Sequence, residues 1–204
     1  FLSRVWRMAD HLTATIRQPL PAPATLSLDD AERALRRKTH ATIKRVTLDL
    51  DPRVHLNTAV SALMELVNEL YAFADAKGVR PSGRDDDPTP VAPVTDRVET
   101  AAVLKEAVKS LVLMLSPFAP HMCEELWEAF GHADGVVAAG WPEADEAAAR
   151  DESIEIPVQV NGKVRGRVTV EAGASEDAIK TAALAAPALR ATSTRARVPR
   201  AAAH

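Results

Sequence analysis

The sequence contains a single cysteine, Cys123, among 204 residues. An internal disulfide therefore cannot form, and the chain cannot build a metal site from several of its own thiolates. It also lacks a run of about 18 uncharged apolar residues, the length that a membrane-spanning helix needs. Residues 1–20 show none of the features of a secretory signal peptide. We therefore predict a cytoplasmic protein that makes no use of a membrane.

Groups of residues typical of catalysis are missing as well. The six histidines are not spaced like metal ligands, and no glycine-rich phosphate-binding loop follows a predicted strand. His121 and Cys123 lie two positions apart on a predicted helix, so their side chains point to different sides. Cys123 falls in an apolar stripe and is predicted to be a buried structural thiol. The sequence thus predicts no catalytic residue, no metal site and no cofactor within this chain.

Apolar residues recur at three- and four-residue steps in five segments of the first 130 residues, which predicts an antiparallel helical bundle. The segments are residues 1–18, 29–49, a third that begins between 51 and 57 and ends at Gly78, 95–115, and 120–130. Short polar residues at their starts are candidate N-caps, namely Asp29 or Asp30, Asp51 or Asn57, and Thr95 or Asp96. Gly78 and Gly131 are predicted to end their helices in left-handed turns. The three tryptophans, Trp6, Trp127 and Trp141, are predicted to lie in the core.

Two segments carry no usable apolar period. Residues 79–94 combine four prolines with an acidic run and are predicted to form a mobile surface loop. Residues 143–152 are acidic and rich in alanine, and we interpret them as a linker or a short solvated helix.

At Ser153 the apolar period changes from 3.6 to 2, which predicts a β-hairpin. A two-residue turn at Asn161-Gly162 is the default, but it would place apolar residues opposite charged ones. A bulged three-residue turn, residues 160–162, instead sets Val158 opposite Val164 and Ile154 opposite Val168, and we favour it. It also sets Glu155 opposite Arg167 and Gln159 opposite Lys163. Ser175 then caps a predicted helix, so this part begins β-β-α.

Positive charge is concentrated at the two ends of the chain. The net charge is +4 for residues 1–50, −11 for residues 51–152 and +4 for residues 153–204. The second helix carries a predicted exposed basic face, made of Arg33, Arg36, Arg37, Lys38, His40, Lys44 and Arg45. On the hairpin, Lys163, Arg165 and Arg167 alternate along one strand at roughly 6.5–7 Å intervals, a spacing suited to phosphates of an RNA strand. On spacing alone, a merely solvated face is an equally good reading for the hairpin and a better one for the helix.

Several segments together resemble one protein family. They are FLSRVWR at the start, HATIKRVTLDL at 40–50, LNTAVSALMELVNELY at 56–71, LVLMLSPFAPHMCEELWE at 111–128, Trp141-Pro142 and VQVNGKVRGR at 158–167. In this order they resemble the end of bacterial-type leucyl-tRNA synthetases, which are class I enzymes. The likeness covers residues 1 to about 186.

The resemblance implies a mostly α protein with two parts. These are an anticodon-binding-type helical bundle over residues 1–150 and a small α+β domain over residues 151–204. It also implies a parent enzyme that joins leucine to its tRNA with ATP and Mg²⁺ by way of leucyl-adenylate. The HIGH and KMSKS motifs and the editing domain of that family lie upstream of the matched part. The chain opens in a helix pattern at Phe1, without an initiator methionine, and we expect it to be a carboxy-terminal fragment without the catalytic site.

The partners that the resemblance implies are tRNA(Leu) and the catalytic body of the parent, in a monomeric enzyme. In this family the helical domain is thought to grip the tRNA body and the terminal domain its elbow. At matching positions, this indicates Lys44 and Arg45 in HATIKRV, and Lys163, Arg165 and Arg167 in NGKVRGR, as phosphate contacts. Arg37, on the same basic face as Lys44, is a further candidate.

After about residue 186 the likeness is lost. Residues 187–204 are basic, rich in alanine and without apolar alternation, so we predict that they are disordered and that the small sheet is incomplete. An alternative reading is a free-standing helical adaptor whose apolar grooves bind a protein. Salt separates the two readings, because phosphate binding weakens steeply with salt whereas an apolar groove hardly responds.

Overall fold

In the computed structural model, the described residues are 1–52, 54–81, 90, 92–150, 153–160, 163–171, 175, 177, 180 and 181. This described part is mostly helical, and the chain divides into two compact units, residues 1–149 and 150–204. The elements are α1 (Leu2–His11), α2 (Thr13–Ile16), a 3₁₀ turn (Pro23–Thr25), α3 (Asp30–Leu50), α4 (Leu56–Ala76), α5 (Val98–Leu115), α6 (Pro120–Ala129), β1 (Ser153–Val160) and β2 (Lys163–Glu171).

Helix α3 starts where its local sequence predicts. Asp29 is the N-cap, and its carboxylate accepts a hydrogen bond from the Glu32 N–H. The Glu32 carboxylate accepts one from the Asp29 N–H in return, which completes a capping box. Two backbone donors at the helix start are thereby satisfied by residues three positions apart, so the predicted cap at Asp29 is confirmed.

Successive long helices run in opposite directions. Lys77, just after the end of α4, pairs with Asp29 and Glu32 at the start of α3, so these two helices are antiparallel. Thr100 at the start of α5 donates to the same Glu32, and Glu106 further along α5 meets Arg36. Helix α5 therefore runs parallel to α3, as an up-down-up arrangement requires.

The core is centred on α5. Twelve of its 18 residues are buried, so other elements cover it on nearly all sides. Helices α2, α3, α4 and α6 pack against it, and α1 packs against α4 and α6. The largest fully buried side chains are Met8, Leu12, Ile16, Ile43, Leu63, Leu66, Leu70, Leu104, Leu111, Met114, Leu115 and Leu126. Burial of one such side chain stabilises a fold by about 1.5–3 kcal/mol.

Most predicted helix ends are confirmed, but the predicted N-caps of two helices are wrong. Gly78 and Gly131 have φ angles of +69° and +93°, as left-handed helix stops require. Helix α4 instead begins after His55, and α5 after Arg97, and neither cap residue makes a side-chain capping bond. The candidate caps at Asp51, Asn57, Thr95 and Asp96 are therefore not used. The predicted first helix is also divided at Leu12 into α1 and α2.

Two of the three tryptophans do not lie in the core. Trp127 is buried, but Trp6 and Trp141 are 37% and 38% exposed. Trp6 lies at the edge of the α1 stripe, next to exposed Leu2, and α1 is covered only on the side that carries Val5, Met8 and Ala9. Leu56 and Met64, apolar residues of α4, are also about half exposed. The apolar stripes are thus wider than the surfaces that their neighbours cover.

The predicted hairpin register is wrong. Val160 pairs with Lys163, Val158 with Gly166, Ile156 with Val168 and Ile154 with Val170. In the same register, Glu155 pairs with Thr169, Gln159 with Val164 and Pro157 with Arg167. The unpaired residue is not Val160 in the turn, as predicted, but Arg165, which has no partner between Val164 and Gly166. Beyond this bulge, apolar residues of β1 pair with apolar residues of β2, as the bulged turn was also meant to achieve. The neighbouring Gly166 favours a bulge at this position.

Several predictions fall outside the described residues. They concern most of the loop at 79–94, most of the helix after Ser175, and residues 187–204. Within the second unit, residues 177, 180 and 181 have helical backbone, and the Thr181 hydroxyl donates to the Asp177 carbonyl.

Candidate nucleic-acid interface

The predicted phosphate contacts lie in two separate units. Arg37, Lys44 and Arg45 are on α3 in the first unit, whereas Lys163, Arg165 and Arg167 are on β2 in the second. Strand β2 places its three cations at alternate positions, with Arg165 at the bulge. That their side chains share one outward face stays a prediction.

Acidic residues from elsewhere in the bundle neutralise the cations of α3. Lys44 Nζ lies 2.9 Å from both carboxylate oxygens of Glu146, although half of its side chain is exposed. Arg45 Nη1 lies 3.4 Å from Glu65, which also accepts a 2.8 Å hydrogen bond from Lys38. The hydrogen bond from Lys38, together with the charges of both cations, outweighs burial and lowers the pKa of Glu65. Arg37 is half-buried on the same helix.

The predicted exposed face of α3 is wrong for two of its members. Arg36 has only 13% of its side chain exposed, with Nε 3.2 Å from Glu106 and Nη2 2.7 Å from Asp145. His40 is buried, so it does not belong to an exposed basic face. Its Nδ1 accepts a hydrogen bond from the Asp145 N–H at 3.1 Å, which places the imidazole proton on Nε2, 3.2 Å from Glu106.

Residues 141–146 form an acidic strap along α3. At its start, Trp141 Nε1 donates to Thr47 Oγ1 at 2.8 Å, and at its end Asp145 and Glu146 meet Arg36 and Lys44. The hydrogen bond from Arg36, followed by backbone N–H groups, lowers the pKa of Asp145. The prediction of a linker or a solvated helix is therefore wrong for residues 143–149, because this segment belongs to the helical unit and forms a turn at 146–149.

The sequence contains a partial signal for this strap. Residues 36, 40 and 44 repeat at four-residue steps on α3, and Asp145 and Glu146 supply matching acidic groups. Local spacing cannot show that two segments about 100 positions apart meet, so these contacts were missed. A phosphate that contacts Lys44 or Arg45 must either displace the paired carboxylate, Glu146 or Glu65, or bind beside it.

A model of the family described as "Anticodon-binding domain of tRNA ligase" matches residues 32–180. The chain belongs to this family. Its matched residues include all of α4, α5 and α6, the strap and the hairpin.

Curated relatives narrow the likeness to leucine enzymes. Leucine–tRNA ligase from Geotalea daltonii is 43% identical over 190 residues, which are 93% of this chain and 21% of the relative. The enzyme of the same name from Chromohalobacter salexigens is 42% identical over 191 residues, 93% of this chain and 20% of the relative. The chain thus spans about one fifth of the length of the relatives it matches. The resemblance stated from the sequence is confirmed.

A solved structure is also similar. It is the ternary LeuRS–tRNA–LeuAMS complex from Agrobacterium radiobacter K84, with a TM-score of 0.73 and 29% identity over 94% of this chain and 22% of the other. In the described residues of our chain, no helix is long and apolar enough to cross a membrane. The same residues contain no group of three or more histidine, cysteine or acidic side chains placed to hold a metal ion.

Proposed function

We propose that this chain is the tRNA-binding, carboxy-terminal part of a cytoplasmic, monomeric leucine–tRNA ligase. The whole enzyme joins leucine to tRNA(Leu) through leucyl-adenylate, with ATP and Mg²⁺ bound by the catalytic body outside this chain. One observation carries the proposal: leucine–tRNA ligases match 93% of the chain, across both the helical unit and the hairpin unit. A helical adaptor with an accessory hairpin gives no reason for such a continuous match.

Within this proposal the two units have different tasks. The helical domain, residues 1–150, supports the tRNA body and packs against the catalytic body, and it holds no cofactor of its own. Residues 151–204 form a small α+β domain that begins β-β-α and presents Lys163, Arg165 and Arg167 to the RNA backbone. The bulge at Arg165 supports this assignment, because bulges change the local course of a strand at binding sites.

The α3 cations make a smaller contribution. Lys44 and Arg45 are half exposed, and an arriving phosphate can compete with Glu146 and Glu65 for them. Exposed ion pairs of this kind are worth about 0–1 kcal/mol, so exchange costs little but also gains little. We therefore expect the hairpin cations to dominate binding.

Equilibrium binding of a tRNA(Leu) transcript to the full chain tests the proposal. The affinity of the unaltered chain should fall steeply between 50 and 200 mM salt, at roughly 0.7–0.9 in log–log slope per phosphate contact. The variant Lys163→Glu/Arg165→Glu/Arg167→Glu should bind much more weakly, with a slope less steep by about three contacts.

The matched control is Lys163→Arg/Arg165→Lys/Arg167→Lys, which preserves every charge on β2 and should bind like the unaltered chain. Unchanged affinity in the charge-reversed variant would disprove the assignment of these residues. Binding that does not respond to salt would favour the protein-binding adaptor instead.

A further inference from the structure

Four basic side chains come together where α2, α5 and the end of α6 meet. Arg17 follows α2, and its Nε donates to the Ala129 carbonyl at the end of α6 at 2.8 Å. Lys105 on α5 donates to the Gln18 carbonyl, next to Arg17. Lys109 lies one turn further along α5, and His132 follows α6. We call Arg17, Lys105, Lys109 and His132 the basic cluster.

An aromatic side chain holds Lys109 and His132 in place. Lys109 Nζ lies 5.0 Å from the centre of the Trp127 ring, and the His132 ring stacks on Trp127 at 4.2 Å with an interplanar angle of 15°. A cation over the face of tryptophan is attracted by the ring, but its charge is not neutralised. Trp127 thus holds both side chains in place and leaves the positive charge of Lys109 available.

No carboxylate in the described part of the chain forms an ion pair with Arg17, Lys105 or Lys109. Burial lowers the pKa of Lys105 and that of Lys109, and the charge of Lys105 lowers the latter further. The pKa of His132 is lowered, mainly by burial and further by the positive charges of Lys109 and Lys105. The negative charge of Asp134 opposes this shift. The like charges therefore repel one another, and two lysines one turn apart destabilise a helix.

Cations elsewhere in the bundle do have carboxylate partners. Glu106, next to Lys105 in sequence, faces α3 and pairs with Arg36 and lies beside His40. On α3, Lys38, Lys44 and Arg45 each have a carboxylate partner. The bundle thus matches the cations of α3 with acids and leaves those on the Lys105 side of α5 without one.

We propose that the basic cluster binds a backbone phosphate of RNA, as a second contact site on the helical unit. This inference rests on the proposed function and assigns a site to it that lies outside the predicted cations of α3 and β2. Lys105 and Lys109 project from successive turns, about 5–6 Å apart at Cβ, which suits adjacent acceptor oxygens of a phosphate chain. Arg17 uses only Nε for the Ala129 carbonyl, so its terminal nitrogens remain for bidentate phosphate binding.

The test measures tRNA binding and the ionisation of His132 in the full chain. The variant Lys105→Gln/Lys109→Gln should weaken binding of a tRNA(Leu) transcript roughly tenfold and make the log–log salt slope less steep by about 2. In the unaltered chain, bound phosphate should raise the pKa of His132, followed by NMR of the imidazole, because it neutralises the neighbouring ammonium groups. A parallel titration with inorganic phosphate distinguishes a free phosphate from the RNA backbone.

Two controls accompany the double variant. Lys105→Arg/Lys109→Arg keeps both charges and should restore binding, and unchanged thermal unfolding of the glutamine variant shows that the fold is intact. Arg80→Gln removes an exposed cation that pairs with Asp75, far in sequence from the cluster, and should leave binding unchanged.

The outcomes separate this site from the proposed function. If the charge-reversed β2 variant loses tRNA binding and Lys105→Gln/Lys109→Gln does not, the inference is overturned. The two lysines would then be assigned to contact with an acidic protein surface. If the unaltered chain binds no tRNA, the proposed function fails, and the inference fails with it. If inorganic phosphate, but not tRNA, shifts His132, the RNA assignment is overturned in favour of a free phosphate.

Discussion

Replacement of Glu32 by alanine removes the polar centre that joins α3, α4 and α5. The Glu32 side chain is fully buried, and its carboxylate accepts hydrogen bonds from the Asp29 N–H (2.9 Å), Thr100 Oγ1 (2.7 Å) and Lys77 Nζ (3.2 Å). Arg97 Nη2 lies 3.4 Å away. One side chain thus caps α3, fixes the start of α5 and holds the chain just after α4.

The expected loss follows from these contacts. Half of the capping box is worth about 1 kcal/mol. The Thr100 hydroxyl, itself 1% exposed, is left without its acceptor, which costs about 1–3 kcal/mol. Lys77 keeps Asp29 as a partner, so its loss is small. We expect Glu32→Ala to lower the free energy of unfolding by about 3 kcal/mol. Glu32→Gln preserves the volume and the capping bond and should cost about half as much.

Equilibrium unfolding in urea, followed by tryptophan fluorescence, measures these losses. All three tryptophans lie in residues 1–149, so the signal reports on the helical unit alone. A loss below about 1 kcal/mol for the alanine variant, a value typical of a surface contact, would refute the reasoning.

Acid provides a second check on the same residue. Burial alone would raise the pKa of Glu32, but the hydrogen bonds from Thr100, the Asp29 backbone and Lys77 leave it below its ordinary value. The stability due to such a carboxylate is complete above its unfolded pKa of about 4.3 and is lost as the pH falls through the lower folded value. The difference between the unaltered chain and Glu32→Gln should therefore narrow below about pH 4, and a constant difference down to pH 3 would contradict the assignment.

Three further predictions concern single positions. Trp141→Phe removes the donor to Thr47 Oγ1 and should cost about 0.5–1 kcal/mol in urea unfolding. Thr47→Val loses this bond and also the one that Thr47 Oγ1 donates to the Ile43 carbonyl, so the two variants should be less than additive when combined. Gly131→Ala forces a side chain into φ +93° and should lower stability by about 1–2 kcal/mol, with no loss of helix by circular dichroism. Burial raises the pKa of the Cys123 thiol to about 12, so it should resist a thiol reagent at pH 8 in the native state and react fully in urea.

The sequence predicted those helix ends that depend on local chemistry. Asp29 caps α3 because its partner, Glu32, is three residues away, and Gly131 ends α6 because its φ angle is positive. His55 could not be predicted as the start of α4, because its backbone N–H bonds to the Asp49 carbonyl at the end of the previous helix. Arg97 likewise begins α5 beside Asp29 and Glu32, residues that lie more than 60 positions away.

The hairpin illustrates a different limit. Alternation predicted that one residue must be left out of the ladder for the apolar positions of the two strands to match, and the pairing of Ile154 with Val170 and Ile156 with Val168 satisfies this requirement. Alternation does not say where that residue lies, since a bulge in the turn would pair Ile154 with Val168 and the bulge at Arg165 pairs it with Val170, and both pairings join apolar residues. The two-residue connection between Val160 and Lys163 was the better choice, because Asn-Gly favours it in isolation.

Charge counts by segment do not show which cations have acidic partners. Residues 1–50 carry a net +4, yet Lys38, Lys44 and Arg45 of α3 are matched by Glu65 and Glu146. Residues 51–152 carry a net −11, yet they contain Lys105 and Lys109, which have no carboxylate partner in the described part of the chain.

A folded chain neutralises charge through contacts between distant segments, so the sum over a segment does not show which cations remain available to a ligand. Whether a cation is available to a ligand depends on whether it already has an acidic partner. By that criterion the basic cluster is a better phosphate site on the helical unit than α3. Removal of the acid from the strap, by Glu146→Gln, should then strengthen tRNA binding at Lys44 only slightly, because the exposed pair it breaks is worth about 0–1 kcal/mol. A large gain in affinity would mean that the strap, and not the absence of partners on α5, governs where RNA binds.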